Sequence, residues 1–180
     1  MVEHLSDPVF KKHSKIIVQS FKKFEEIKLP KTNETLHLIS LRNLNAVGAI
    51  NYISTLEKIN ELTIVVYSIN EPSALRIIDI AKELNIKADI IVSTIRNTAA
   101  YKKENAIKHF EQNPELINLT YLGSHAKIIL IKTDVSYYSI ETSANLSPNS
   151  RIEQYVINNH EQLYLFHKNW IEKAKQSIND

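Results

Sequence analysis

Five polar residues in the C-terminal half of the chain have types and spacings that would let them act on one small patch. His125 and Lys127 lie two residues apart at the head of an apolar stretch, and Ser143 and Asn145 lie two residues apart further along. Residues i and i+2 of a β-strand point to the same face. Each pair can therefore face a common cleft, and Glu153 follows where a carboxylate could return to a ring nitrogen of His125.

An imidazole, an ammonium, a hydroxyl, an amide and a carboxylate in one cleft suit attack at a phosphodiester. Neutral imidazole is a competent nucleophile toward phosphorus, and Lys127 and Asn145 can offset the negative charge on the phosphate oxygens. A carboxylate hydrogen-bonded to the imidazole N–H would fix its tautomer and stabilise the charge that develops on the ring. We therefore predict His125, Lys127, Asn145 and Glu153 as catalytic residues, and Lys127, Ser143 and Asn145 as substrate ligands.

The register of a β-hairpin decides whether these two pairs of residues meet. Two strand-like stretches are separated by a short polar turn, which predicts antiparallel pairing. If paired residue numbers have an even sum near 270, His125 lies opposite Asn145 and Lys127 lies opposite Ser143. An odd sum would turn Ser143 and Asn145 to the opposite face, because a slip of one residue reverses every side chain. The hypothesis of one cleft therefore predicts an even sum.

The remaining sequence predicts one α/β domain over residues 1–180, with a mixed β-sheet flanked by helices on both faces. The segment Pro8–Ile27 is predicted to be an amphipathic helix, because Asp7 can cap it and apolar residues recur at helical spacing. Asn70 is predicted to start a later helix, and Thr98 is predicted to cap the next one. The predicted strands are 36–41, 62–68, 86–94, 116–122, 126–132 and 135–144, and the other predicted helices are 44–59, 73–84, 98–112 and 161–178.

Composition excludes several classes of protein. Of the 180 residues 43% are hydrophobic and 23% are charged, which is typical of a globular domain. No apolar run approaches the ~20 residues of a membrane helix, and the N-terminus has no apolar core of a secretory signal. The absence of cysteine excludes disulfides and thiolate chemistry, and two glycines are too few for a glycine-rich phosphate loop. We expect a cytoplasmic protein without stable membrane association, whose net charge of +2 permits a polyanionic partner.

The sequence HAK at 125–127, the sequence TSAN at 142–145 and the later Glu153 resemble the phospholipase D superfamily. The HKD motif of that superfamily runs HxK(x4)D and is followed by GSxN and a downstream Glu. The resemblance implies a phosphohistidine intermediate on His125, a phosphate held by Lys127 and Asn145, a supporting hydroxyl from Ser143, and a histidine oriented by Glu153. It also implies that neither a metal nor another cofactor is required.

Three departures from the family pattern are visible. Lys132 occupies the position of the motif's Asp, with Asp134 two residues later, and Thr142 replaces the glycine before the serine, which could narrow the approach to the phosphate. The chain also carries a single HKD copy. One copy is what the short, homodimeric nuclease branch of the family has. The resemblance therefore implies a homodimer in which His125 of each protomer faces a shared cleft.

These observations lead us to expect a metal-independent phosphodiesterase, a nuclease that acts on DNA or RNA. Two alternatives remain open at this point. The same fold with an impaired site would hold nucleic acid without cutting it. A phospholipid-cleaving phosphodiesterase is less favoured, because neither an interfacial apolar helix nor a second HKD copy is visible in the sequence.

Overall fold

The computed structural model describes residues 15–41, 44–93, 100–147 and 152–177. They form one eight-stranded mixed sheet with helices on both faces, which confirms the predicted fold class. The strands are β1 (Lys15–Phe21), β2 (Glu34–Ser40), β3 (Ile59–Val66), β4 (Ala88–Ser93), β5 (Ile117–Leu122), β6 (Ile128–Thr133), β7 (Tyr137–Thr142) and β8 (Gln154–Asn159). The α-helices among these residues are α1 (Val47–Leu56), α2 (Glu71–Leu84), α3 (Ala100–Glu111) and α4 (Glu161–Gln176).

The order of strands across the sheet is β1-β2-β8-β7-β6-β3-β4-β5. The central strands β2, β8, β7, β6 and β3 pair antiparallel, whereas β1 joins β2, and β4 and β5 join β3, in parallel. As a result β2, β3 and β7 end at the same edge of the sheet at which β6 and β8 begin. Side chains that follow or precede these strands are therefore gathered at one edge.

The predicted helix over Pro8–Ile27 is wrong for its described part. Lys15–Phe21 is strand β1, paired in parallel with β2, and a short 3₁₀ turn follows at Phe24–Glu26. Three consecutive β-branched residues, 16–18, favour the extended backbone. Phe21 and Phe24 are buried against each other with ring centroids 5.1 Å apart, so their spacing reflects packing on the sheet rather than a helical face. Residues 8–14 lie outside the described part of the chain.

The other predicted strands and helices are confirmed, with ends that differ by a few residues. The helix predicted over 44–59 is α1, which ends at Leu56, and Ile59 already begins β3. Asn70 starts helix α2 as predicted, and it caps the helix, since its Oδ1 accepts a hydrogen bond from the Ser73 amide at 3.2 Å. Thr98 lies outside the described residues. Strand β8 was not predicted, although it occupies the middle of the sheet between β2 and β7.

Strand β6, which leads away from His125 and Lys127, is anchored on both faces. Ile129 and Ile131 are buried in the core beneath α1, α2 and α3, whereas Ile128 and Leu130 are buried in the second core beneath α4. A strand packed on both sides holds its preceding residues at a fixed place. Within the described ranges no helix has the length and apolar character needed to cross a membrane. The cytoplasmic location and the single domain stay predictions.

Candidate functional site

The five residues predicted from the sequence line one open cleft of about 780 Å³ at the sheet edge. His125 and Lys127 come from the segment before β6, Ser143 and Asn145 from the segment after β7, and Glu153 directly precedes β8. The strand directions given above explain why segments distant in the chain meet here. The cleft is completed by Tyr67, Ala126, Ile128, Glu141, Thr142 and Ile152.

The predicted register of the hairpin is wrong, although the predicted residues do line one cleft. Ile128 pairs with Glu141 and Ile131 pairs with Tyr138, so the paired residue numbers have an odd sum. The odd sum does not separate the two pairs, because strand β6 begins at Ile128 and β7 ends at Thr142. The motif residues lie beyond these ends, where the alternation of strand faces no longer applies. Loop conformation rather than strand register brings them together.

His125 and Lys127 form a compact group with the ring of Tyr67. Lys127 Nζ donates a hydrogen bond to the His125 carbonyl oxygen at 3.0 Å and lies 3.4 Å from Nδ1 of the same residue. The His125 and Tyr67 rings are tilted by 45° with centroids 4.4 Å apart, and Lys127 Nζ lies 5.7 Å from the Tyr67 centroid. Burial lowers the pKa of the Lys127 ammonium, while the negative charge of Glu153 acts in the opposite direction. The cleft thus holds a partly desolvated cation beside an imidazole.

Glu153 is a buried carboxylate, 7% exposed, that links three strand ends. Its Oε2 accepts a hydrogen bond from Ser143 Oγ, and that hydroxyl in turn accepts one from the Gln154 amide at 2.9 Å. The Glu153 amide donates to Ser40 Oγ at 3.0 Å, and the Ser40 amide donates to the Glu153 carbonyl oxygen at 2.9 Å. The single hydroxyl proton of Ser143 is donated to Glu153, so in this arrangement Ser143 positions the carboxylate. A hydrogen bond from His125 to Glu153 stays a prediction.

The amide of Asn145 is oriented by the loop that follows β3. Its Oδ1 accepts a hydrogen bond from the Ser68 amide at 3.3 Å. Leu146 extends this connection, because its amide donates to the Ser68 carbonyl oxygen and its carbonyl accepts from the Asn70 amide, both at 3.1 Å. With Oδ1 held by backbone, Nδ2 is the atom that Asn145 can offer to an anion in the cleft. The predicted role as a phosphate ligand requires such a donor.

Two of the departures from the family pattern have local structural explanations. The Thr142 hydroxyl donates to the Gln154 carbonyl oxygen of β8 at 2.8 Å and accepts from the Ala144 amide at 2.9 Å, so it is bound to backbone on both sides. Lys132 does not line the cleft; its Nζ forms an ion pair with Glu61 at 3.0 Å. Asp134 accepts a hydrogen bond from Asn60 at the opposite end of β6. Neither Lys132 nor Asp134 belongs to the candidate site.

Tyr67, Glu141 and Ile152 line the cleft but were not predicted from the sequence. Tyr67 is 58 positions before His125 and follows strand β3, the neighbour of β6. The sequence placed Tyr67 at the end of a predicted strand. Only the order of strands in the sheet shows that this strand end lies beside His125 and Lys127. Among the described residues, no three His, Asp or Glu side chains are grouped so that they could hold a metal ion. Catalysis without a metal or another cofactor stays a prediction.

Solved structures with a similar fold include two small proteins that the chain matches over most of their length. NucT from Helicobacter pylori is 19% identical, with a TM-score of 0.55, and the match covers 80% of this chain and 98% of NucT. Nuc from Salmonella typhimurium, described as a phospholipase D family member, is 17% identical, with a TM-score of 0.52 and coverage of 77% and 93%. These similarities confirm the expected phospholipase D-like fold.

A polyphosphate kinase from Porphyromonas gingivalis is also similar, at 16% identity and a TM-score of 0.44, but the match covers 57% of this chain and only 19% of that one. No protein-family model and no curated protein matches the sequence.

Replacing Ser143 by alanine should destabilise the cleft, because buried Glu153 loses a donor and the Gln154 amide loses its acceptor. We expect the free energy of unfolding to fall by about 1–3 kcal/mol, measured by denaturant titration. Ser147→Ala is the matched control, since its hydroxyl lies 3.3 Å from the neutral hydroxyl of Ser68. An equal effect of the two substitutions would contradict this role of Ser143.

Proposed function

We propose that the chain is a phosphodiesterase that cleaves DNA or RNA without a metal, through a covalent intermediate on His125. The observation that carries the proposal is the meeting of His125, Lys127 and Asn145 in one open cleft, beside the buried pair Ser143–Glu153. The fold shared with a phospholipase D family member supports it. The residues supply what such a reaction needs: a nucleophile, a cation, an oriented amide donor and a carboxylate.

In the first step, His125 Nε2 attacks phosphorus and the bond between phosphorus and the leaving oxygen breaks. We assign Nε2 as the nucleophile because Nδ1 faces Lys127 Nζ at 3.4 Å. Lys127 Nζ turns from the His125 carbonyl oxygen to a phosphate oxygen, and Asn145 Nδ2 donates to another. The Nδ1–H group can then donate a hydrogen bond to Glu153, which stabilises the positive charge on the phosphorylated ring. The leaving oxygen takes a proton from His125 of a second copy of the chain.

In the second step, water attacks phosphorus on the side from which the leaving group departed. The His125 of the second copy, now neutral, takes a proton from that water, and the N–P bond breaks. His125 regains its lone pair, the product carries a phosphate end, and both histidines return to their starting states. Lys127 and Asn145 hold the same two phosphate oxygens throughout, so the charge that they offset moves little.

A second copy of the chain is part of this proposal, because the reaction uses two histidines and His125 is the only histidine among the described residues that line the cleft. An isologous two-fold interface uses the same surface of both protomers, so it can supply the second histidine from a second His125. Ile39, Leu41 and Ile152 are exposed apolar side chains, 41%, 50% and 67% exposed, and Ile152 lines the cleft itself. Strand β2 pairs with β8 up to Ile39 and Gln154, and the same register continued by two residues brings Leu41 level with Ile152. We propose that the partner protomer covers this group.

Two copies of Lys127 around one cleft would make it locally positive although the net charge of the chain is only +2. Such a cleft suits the backbone of a nucleic acid, in which phosphates follow one another. The alternatives, a nucleic-acid-binding protein that does not cut and a phospholipid-cleaving enzyme, are separated from the proposal by the choice of substrate and by the variant described next.

The His125→Ala variant should lose cleavage of DNA or RNA in excess chelator while its fold is retained, because His125 is exposed at a loop outside the core. Turnover is measured on DNA, RNA and phospholipid, and folding by circular dichroism. His160→Gln is the control, since His160 follows the opposite end of β8 and its Nε2 lies 3.4 Å from Thr35 Oγ1. Wild-type activity in purified His125→Ala would reject the proposal. Binding of nucleic acid without cleavage by the wild type would favour the non-cutting alternative.

Sedimentation should show a dimer at micromolar protein, and mixing chains should reveal the shared site. After subunit exchange, an equal mixture of wild type and His125→Ala should retain about one quarter of the wild-type activity, since each site needs both histidines. The same mixture assayed before exchange is the control and should retain about one half. A stable monomer that still hydrolyses phosphodiesters would contradict the two-histidine mechanism.

A further inference from the structure

We infer that Tyr67 is a positioning residue whose aromatic ring holds His125 and Lys127 in their working arrangement. The inference rests on the proposed function of the cleft and adds to it a residue outside the motif. Tyr67 follows strand β3, in which Val65 pairs with Ile128 of β6. Continued by two residues, this antiparallel register brings Tyr67 level with Ala126, between the two motif residues.

The ring of Tyr67 contacts both motif side chains at once. Its centroid lies 4.4 Å from that of the His125 ring at a tilt of 45°, a distance at which aromatic rings attract each other. Lys127 Nζ lies 5.7 Å from the same centroid, within the range in which an ammonium is attracted by the face of an aromatic ring. Both contacts are made by the ring rather than by the hydroxyl group.

The electrostatics of the reaction give this contact a function. When Nε2 of His125 forms a bond with phosphorus, the imidazole ring acquires positive charge. The negative face of an aromatic ring stabilises such a charge, and it does so more strongly where water is partly excluded. Water is already partly excluded from Lys127. Its burial lowers the pKa of the ammonium and thus disfavours the positive charge that must hold the phosphate. Tyr67 offsets part of this cost for Lys127 and stabilises the charged form of His125.

The test compares Tyr67→Phe, which keeps the ring, with Tyr67→Leu and Tyr67→Met, which remove it. We expect Tyr67→Phe to retain kcat within about twofold, and the two aliphatic variants to lose about tenfold in kcat with a smaller change in KM. Tyr121→Leu, on β5 and 40% exposed, is the control for loss of a surface tyrosine. Two aliphatic variants are used so that misfolding of one leaves the other.

Nuclear magnetic resonance of the His125 ring protons supplies a readout that does not depend on activity. In the wild type and in Tyr67→Phe these protons should be displaced by the ring current of the aromatic neighbour, and in folded Tyr67→Leu or Tyr67→Met the displacement should vanish. The resonances are assigned by their absence from His125→Ala.

The two readouts separate the failure of this inference from the failure of the proposed function. If the wild type cleaves nucleic acid and the aliphatic variants match Tyr67→Phe in kcat, Tyr67 is not a positioning residue, whereas the proposed function stands. If the wild type cleaves none of the substrates but the ring-current pattern is observed, the proposed function fails and the contact with His125 is established. Absence of any ring-current displacement in the wild type would overturn the inference directly.

Discussion

The antiparallel pairing of β6, β7 and β8 is the constraint on which the rest of the site depends. It places the start of β6, the end of β7 and the start of β8 at one edge of the sheet, and β3 ends there as well because it too runs opposite to β6. Backbone hydrogen bonds between strands thereby fix the positions of loops that have no regular structure of their own. The cores on the two faces of β6 hold these strand ends in place. Loop residues can therefore form the cleft at a fixed position.

Within this frame, the buried carboxylate of Glu153 organises the polar groups. A buried charge must be hydrogen-bonded or paired, and Glu153 receives the Ser143 hydroxyl while its backbone is bound to Ser40 of β2. The same charge acts on Lys127, where it opposes the effect of desolvation on the pKa. The aromatic ring of Tyr67 lies beside both Lys127 and His125. The phosphate site that we propose thus combines the Lys127 ammonium with the buried carboxylate of Glu153.

The residues of the candidate site could be found from the sequence because their types and spacing suit one chemistry, and all five line the cleft. Their chemical roles stay predictions. The register of the β6–β7 hairpin could not be predicted in the same way. The spacing of i and i+2 is informative only inside a strand, and the motif residues lie beyond the strand ends. Strand β8 was missed because its last residues, Asn158 and Asn159, are buried polar groups whose partners, Thr35 and Pro30, are distant in the chain. The first segment was misassigned because its phenylalanines pack on the sheet. The place of Tyr67 in the cleft could not be predicted without knowing that β3 lies next to β6.

The central claim is that His125 becomes covalently bonded to phosphorus, and trapping that bond tests it most directly. Wild-type protein and the nucleic acid that it cleaves are mixed, stopped within one turnover by alkaline denaturant, which preserves phosphohistidine, and digested for mass spectrometry. We predict a phosphoryl-linked nucleotide fragment on the peptide that contains His125, and no such fragment in His125→Ala. Turnover by the wild type with that peptide unmodified, or with the fragment on another residue, would contradict the account.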